Sequence, residues 1–161
     1  MQQKAGARFP RETRLRGRDA FGRIFKDGEG LRRGQLVLKY RVEPGRSPGT
    51  GVGAGPGAEP GTDLGAGKEL HAGFVVRRSA GVNARRNRLR RMVREAYRLQ
   101  RIRFEDALPD GIALDLVFLW SGSPEQALRP NFDAISNDVG AALAALLSRM
   151  RKRVADGTEG Q

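Results

Sequence analysis

Between Arg77 and Arg103 the chain sets 11 arginines against a single acidic residue, Glu95. No other stretch restricts the fold as much. On a helix turning by about 100° per residue, Leu89, Met92, Val93, Ala96 and Leu99 gather within an arc of roughly 120°, the width of a face that packs on another element. Arg86, Arg88, Arg90, Arg91, Arg94, Arg98 and Arg101 spread over the opposite side. The segment from about Ala84 to Arg103 is therefore predicted as one amphipathic helix with guanidinium groups outward. Its stripe needs a sheet, which the rest of the chain must supply.

That outer face is not built for stability. A solvated helix face mixes signs and places Glu four residues before Lys or Arg. Here Arg86, Arg90, Arg94 and Arg98 follow one another at i, i+4, and each like-charge pair opposes the helix by about 0.2–0.5 kcal/mol. Arg85, Arg86 and Arg88 crowd the N-terminal end, where the macrodipole disfavours each cation by about 0.3–1 kcal/mol. A polyanion reverses the sign of both effects, because a guanidinium forks onto phosphate oxygens. The chain as a whole agrees, with 30 Lys and Arg against 18 Asp and Glu and a formal charge of +12. Such a charge bears on partners, not on fold. A membrane surface would ask for exposed Trp, Phe or Leu beside the cations, and the narrow stripe is needed for packing. No helix-turn-helix spacing, zinc framework or RNP-type aromatic motif accompanies the helix. The pattern alone leaves DNA and RNA open.

Absent residue types narrow the chemistry. With no cysteine, disulfides, thiolate zinc sites and a cysteine nucleophile are excluded. His71 is the single histidine, no dense acidic cluster appears, and no Ser–His–Asp or paired-carboxylate arrangement is visible. No catalytic and no metal-binding residue is assigned to the protein. The basic N-terminus lacks the apolar run of a signal peptide, and Glu12 and the lack of Ser weaken a transit-peptide reading. No window approaches the 18 or so apolar residues of a membrane span. A soluble, cytoplasmic chain is expected, with no membrane partner and no homo-oligomer.

At 161 residues one domain with a real core is expected. Asp19 to Lys26 places Phe21, Ile24 and Phe25 at helical spacing and stops at Gly28. A short strand is expected near Gly30 to Arg33. Leu36 to Val42 alternates, with Leu36, Leu38, Tyr40 and Val42 on one face and Val37, Lys39 and Arg41 on the other. Glu43 to Glu69 holds 9 Gly and 4 Pro and no aromatic residue, the composition of a flexible insertion. Ala72 to Val76 reads as a strand, and Ile112 to Trp120 as a central strand covered on both sides. Beyond Pro130, Phe132, Ile135, Val139, Leu143, Leu146 and Met150 keep helical spacing. The predicted order is α-β-β-β-α-β-α, an α+β sandwich with helices packed on a four-stranded sheet. One domain over 9–151 is expected, interrupted at 43–69, with flexible tails at 1–8 and 152–161. His71, Tyr40 and Trp120 are read as structural.

The run Val75-Val76-Arg77-Arg78, Gly81, Ala84-Arg85-Arg86-Asn87-Arg88-Leu89-Arg90-Arg91 and Val93-Arg94-Glu95-Ala96-Tyr97 resembles the signature of the bacterial ribonuclease P protein component. Arg86-Asn87-Arg88 matches that family's RNR tripeptide. Arg14-Leu15, Asp19-Ala20-Phe21, Ile24-Phe25-Lys26 and Gly28 resemble its opening helix at matching spacing. The resemblance implies a subunit that assists a catalytic RNA in removing the 5′ leader of precursor tRNA. Its partners would be the ribonuclease P RNA and precursor tRNA. The protein itself would be non-catalytic and bind no cofactor, and magnesium would serve the RNA-based reaction.

The resemblance also implies a left-handed β-α-β crossover, where the general rule favours the other hand. Arg85, Arg86, Asn87, Arg88, Arg90, Arg91 and Arg94 are implied to face the catalytic RNA. A cleft between the Arg-rich helix and the sheet is implied to hold the single-stranded leader, with Phe21, Phe25, Lys39, Arg77 and Arg78 as its residues. Relatives often carry an aromatic residue where this chain has Lys39, and usually lack the insertion. From spacing alone Phe21 and Phe25 serve either the core or base stacking, and Asn87 is either a neutral surface residue or an RNA contact. The alternative function is a ribosomal or other structural RNA-binding protein. A self-sufficient nuclease is disfavoured by the missing catalytic constellation.

Overall fold

A computed structural model describes residues 13–43 and 68–159 of the chain. Residues 44–67 of the expected insertion and the expected tail 1–8 lie outside the described residues. In chain order the elements are α1 (Arg18–Asp27), β1 (Glu29–Arg33), β2 (Leu36–Glu43), β3 (Glu69–Val76), α2 (Asn83–Ala107), β4 (Ala113–Trp120), α3 (Pro124–Leu128) and α4 (Phe132–Glu159). The strands form one sheet in the order β1-β2-β4-β3. β1 and β2 are an antiparallel hairpin, β2 and β4 are antiparallel, and β3 and β4 are parallel. A parallel pair needs a crossover, and α2 supplies it.

Strand alternation divides the sheet into two faces. Leu31, Leu38, Phe118 and Phe74 align across the four strands, as do Tyr40, Leu116 and Ala72 in the next row of that face. This face carries the main core with α2 and α4, through Leu89, Val93, Ala96 and Tyr97 on one helix and Ile135, Val139, Leu146 and Met150 on the other. On the opposite face Gly30, Lys39, Val117 and Gly73 form a row. There α1 packs on β2 and β4 and buries Ile24 completely. β4 lies under both layers, so seven of its eight residues are buried and Asp115 is half-buried. Its nearly unbroken apolar sequence follows from that position.

Four features depart from the expected outline. The buried side of α2 is turned: Leu99, expected within the packed stripe, is 59% exposed, and Tyr97 and Phe104 are buried in its place. The two aromatic rings fill more of the core than Leu99 could. Gln100 falls in the middle of the new stripe and is accommodated because its Nε2 donates to the Ser136 carbonyl at 3.0 Å and to the Ala96 carbonyl at 3.2 Å. α2 also runs on to Ala107, four residues past the expected Arg103, because Phe104 and Leu108 are both buried. The unexpected α3 starts at a capping box in which Ser123 and Gln126 satisfy each other's backbone amides. That Ser-x-x-Gln spacing was present in the sequence. Finally, residues 152–159, expected within a tail, continue α4. Tyr40 and Trp120 are core residues, each 1% exposed.

Candidate nucleic-acid interface

A 3-10 turn at Arg78–Ala80 leads from β3 into α2. The helix starts after Val82 with no side-chain cap, so its first amides and positive dipole end add to the local potential. Within α2 the arginines divide by their neighbours. Arg98 makes two bonds to the Glu95 carboxylate, at 2.8 and 2.6 Å. The hydrogen bond to Arg98 holds the Glu95 carboxyl below its ordinary pKa, and the same bond raises Arg98. Arg101 donates to Glu105 at 2.6 Å. Among the described residues, no carboxylate stands within ion-pair distance of Arg85, Arg86, Arg88, Arg90, Arg91 or Arg94. Arg86 donates instead to the Asn83 side-chain carbonyl, and Arg90 to that of Asn87 at 2.7 Å. Asn87 is thus exposed on α2 and holds an arginine.

Arg94 reaches the outer edge of β3. Its guanidinium carbon lies 5.8 Å from the centre of the Phe74 ring, a cation–π distance. Burial, and then the charges of Arg14, Arg90 and Arg91, lower its pKa. Arg14 comes to this place because the N-terminal segment pairs with β3: Leu15 donates its amide to the Ala72 carbonyl at 2.9 Å. Arg14, Leu15, Phe21, Ala72, Gly73, Phe74 and Arg94 line a cavity of about 180 Å³. A larger groove of about 680 Å³ lies between the β1–β2 turn and the start of α4, and Arg32 is the single cationic residue on its wall.

The expected leader residues separate into two groups. Phe21 is half-buried against Gly73, and Phe25 is 42% exposed. Lys39 runs along Gly30 with its Cδ 3.2 Å from where a β-carbon would stand. All three belong to the α1 face of the sheet. Arg77 and Arg78 are exposed at the far end of β3, continuous in sequence with the α2 arginines. The cleft implied between α2 and the sheet is filled: Tyr97 packs 5.1 Å from Phe118 and 5.8 Å from Phe74, centre to centre. The opening lies instead at the β3 edge, where Phe21 of one layer meets Arg94 of the other. Arg14 and Phe74 also line this opening and were not among the expected residues. The Arg14-Leu15 motif was visible, but its pairing with β3 is long-range and carries no local signal.

The family model for Ribonuclease P matches residues 9–147. The chain belongs to the ribonuclease P protein family. The ribonuclease P protein of Thermotoga maritima is 27% identical, with a TM-score of 0.54, over 81% of this chain and 96% of that one. The ribonuclease P protein of Staphylococcus aureus shares the fold at 16% identity and a TM-score of 0.56, over 83% of this chain and 94% of that one. A search among curated proteins found no match. As a ribonuclease P protein subunit, the chain has an RNA partner and a place in tRNA processing. Among the described residues no helix is long and apolar enough to cross a membrane.

Proposed function

We propose that this ribonuclease P protein binds the catalytic RNA through the Arg85–Arg94 stretch of α2 and steers the 5′ leader of precursor tRNA over Phe21, Phe25 and Lys39. The observation that carries this reading is the division of α2. Its N-terminal half keeps six arginines away from any carboxylate among the described residues, and like charges so placed are best relieved by phosphates. Arg77 and Arg78 extend that cationic surface at the end of β3. Phe21 and Phe25 offer ring faces for unstacked bases, which a single-stranded leader presents and a duplex does not.

The hydrolysis is assigned to the RNA, with the protein as a non-catalytic subunit acting in the cytoplasm. The magnesium of that reaction is assigned to the RNA as well. His71 is held between Asp115, at 3.0 Å, and Glu69, at 3.4 Å, and its part is read as structural. The test is cleavage of precursor tRNA by the protein alone, by a bacterial ribonuclease P RNA alone, and by both at low magnesium. Cleavage that needs the RNA and is enhanced by the protein is expected. Robust cleavage by RNA-free protein would overturn the proposal.

A further inference from the structure

Four side chains of α2 accept hydrogen bonds from arginines one turn away, and they are of two kinds. Asn83 accepts from Arg86 and Asn87 from Arg90, in the N-terminal half. Glu95 accepts from Arg98 and Glu105 from Arg101, in the C-terminal half. The geometry is similar, but the electrostatic outcome differs. A carboxylate orders a guanidinium and cancels its charge. An amide oxygen orders it and leaves the full positive charge in place.

Helix stability does not explain the asparagines. Asn is a poor helix former, and Glu near a helix N-terminus would gain from both the macrodipole and the i, i+3 ion pair. An arginine that meets a phosphate loses side-chain freedom on binding. A neutral acceptor that has already restricted the side chain reduces that loss without weakening the attraction. Asn83 and Asn87 lie four residues apart, so their two arginines are presented on one side of the helix.

We infer that Asn83 and Asn87 are positioning residues that hold the Arg86 and Arg90 guanidinium groups ready for RNA phosphates without neutralising them, and that the phosphate-binding part of α2 ends at Arg94. This rests on the reading of α2 as the RNA face. The glutamates mark the boundary: beyond Arg94 the same helix holds Arg98 and Arg101 in internal ion pairs. Asn87 thereby acts on RNA through Arg90.

The test is the affinity of the full-length protein for an in vitro transcribed bacterial ribonuclease P RNA, measured over a series of salt concentrations, with thermal melts to confirm folding. Arg90→Ala serves as the control for the RNA face. Asn87→Ala removes the acceptor and keeps the charge, so affinity is expected to fall by about three- to tenfold with the salt slope unchanged. Asn87→Asp keeps an acceptor and cancels the charge, so the slope of log K against log salt is expected to flatten by about 0.7–0.9. Glu95→Gln releases the Arg98 charge outside the boundary and is expected to leave both affinity and slope unchanged. Wild-type affinity for Asn87→Ala, or a wild-type slope for Asn87→Asp, would overturn the positioning role. A steeper slope for Glu95→Gln would overturn the boundary. If Arg90→Ala binds as wild type, the RNA face itself has been misassigned, which is a different failure from loss of the Asn87 effect alone.

Discussion

The ring of Phe21 rests on Gly73: a β-carbon added there would stand 2.6 Å from Phe21 Cζ and 2.7 Å from Cε1. Glycine in a strand interior is usually a weakness, and it is retained where another group must come close. Here that group is α1, whose approach on this face sets one wall of the cavity at the β3 edge. Gly73→Ala must displace either the ring or the helix. A loss of about 1–3 kcal/mol is expected, as for overpacking elsewhere, together with weaker binding of precursor tRNA. Denaturant unfolding and a binding titration check the two parts. Unchanged stability would show that α1 is not seated by this contact.

Phe21→Ala with Phe25→Ala should weaken binding of precursor tRNA more than that of mature tRNA, because only the precursor carries a leader. Base stacking on an aromatic ring contributes about 1–3 kcal/mol. Phe25 is 42% exposed, so its removal alone should cost little stability, whereas Phe21 gives up its packing on Gly73. Equal losses for the two RNAs would assign both rings to structure alone.

Shortening the segment between β2 and β3 should leave the fold intact if it stops before Lys68. Glu43 and Glu69 pair with Ala113 from opposite sides, so the strand ends are two strand spacings apart, about 10 Å. About three extended residues reach that distance at about 3.3–3.6 Å each, and five or so leave room to turn. Lys68 must stay, because its Nζ donates to the Glu105 carbonyl at 2.8 Å near the C-terminal end of α2. A version that also removes Lys68 should lose a further 0.3–1 kcal/mol or so, the worth of a cation at that end. Thermal melts and RNA binding compare the two. Unfolding, or a tenfold loss of binding, in the version that keeps Lys68 would give the insertion an active role.

Gln100 and Gly140 should behave as a coupled pair. A β-carbon at Gly140 would meet Gln100 Oε1 at 2.6 Å, so Gly140→Ala has to push the amide off Ser136. The lost hydrogen bond, about 0.5–1.5 kcal/mol, offsets the gain of about 0.8–1.0 kcal/mol from replacing Gly in a helix. Gly140→Ala alone is therefore expected near neutral, and Gln100→Ala alone destabilising. In the Gln100→Ala background, Gly140→Ala should stabilise by about 1 kcal/mol. Additive effects in a double-mutant cycle would show that the two residues do not share a contact.

Local patterning carried much of the outline. The alternation of Leu36, Leu38 and Tyr40 and the arginine face of α2 reflect periods of two and nearly four residues, and the unbroken apolar run of β4 reflects a strand covered on both sides; any chain segment displays such patterns by itself. The RNR run and the spacing of the α1 residues identified the family for the same reason. Tertiary structure decided what periodicity leaves open. Leu99 and Tyr97 are both apolar candidates for the buried side of α2, and the choice fell to Tyr97 because Phe74 and Phe118 receive its ring. Arg98 and Arg94 look alike in sequence, yet one is held by Glu95 and the other stands beside Arg14 at the edge of β3. The strand order, with β4 inserted between β2 and β3, and the meeting of Phe21, Arg14 and Arg94 depend on residues far apart in the chain. Their energies arise only on contact, so no local pattern in the sequence encodes them.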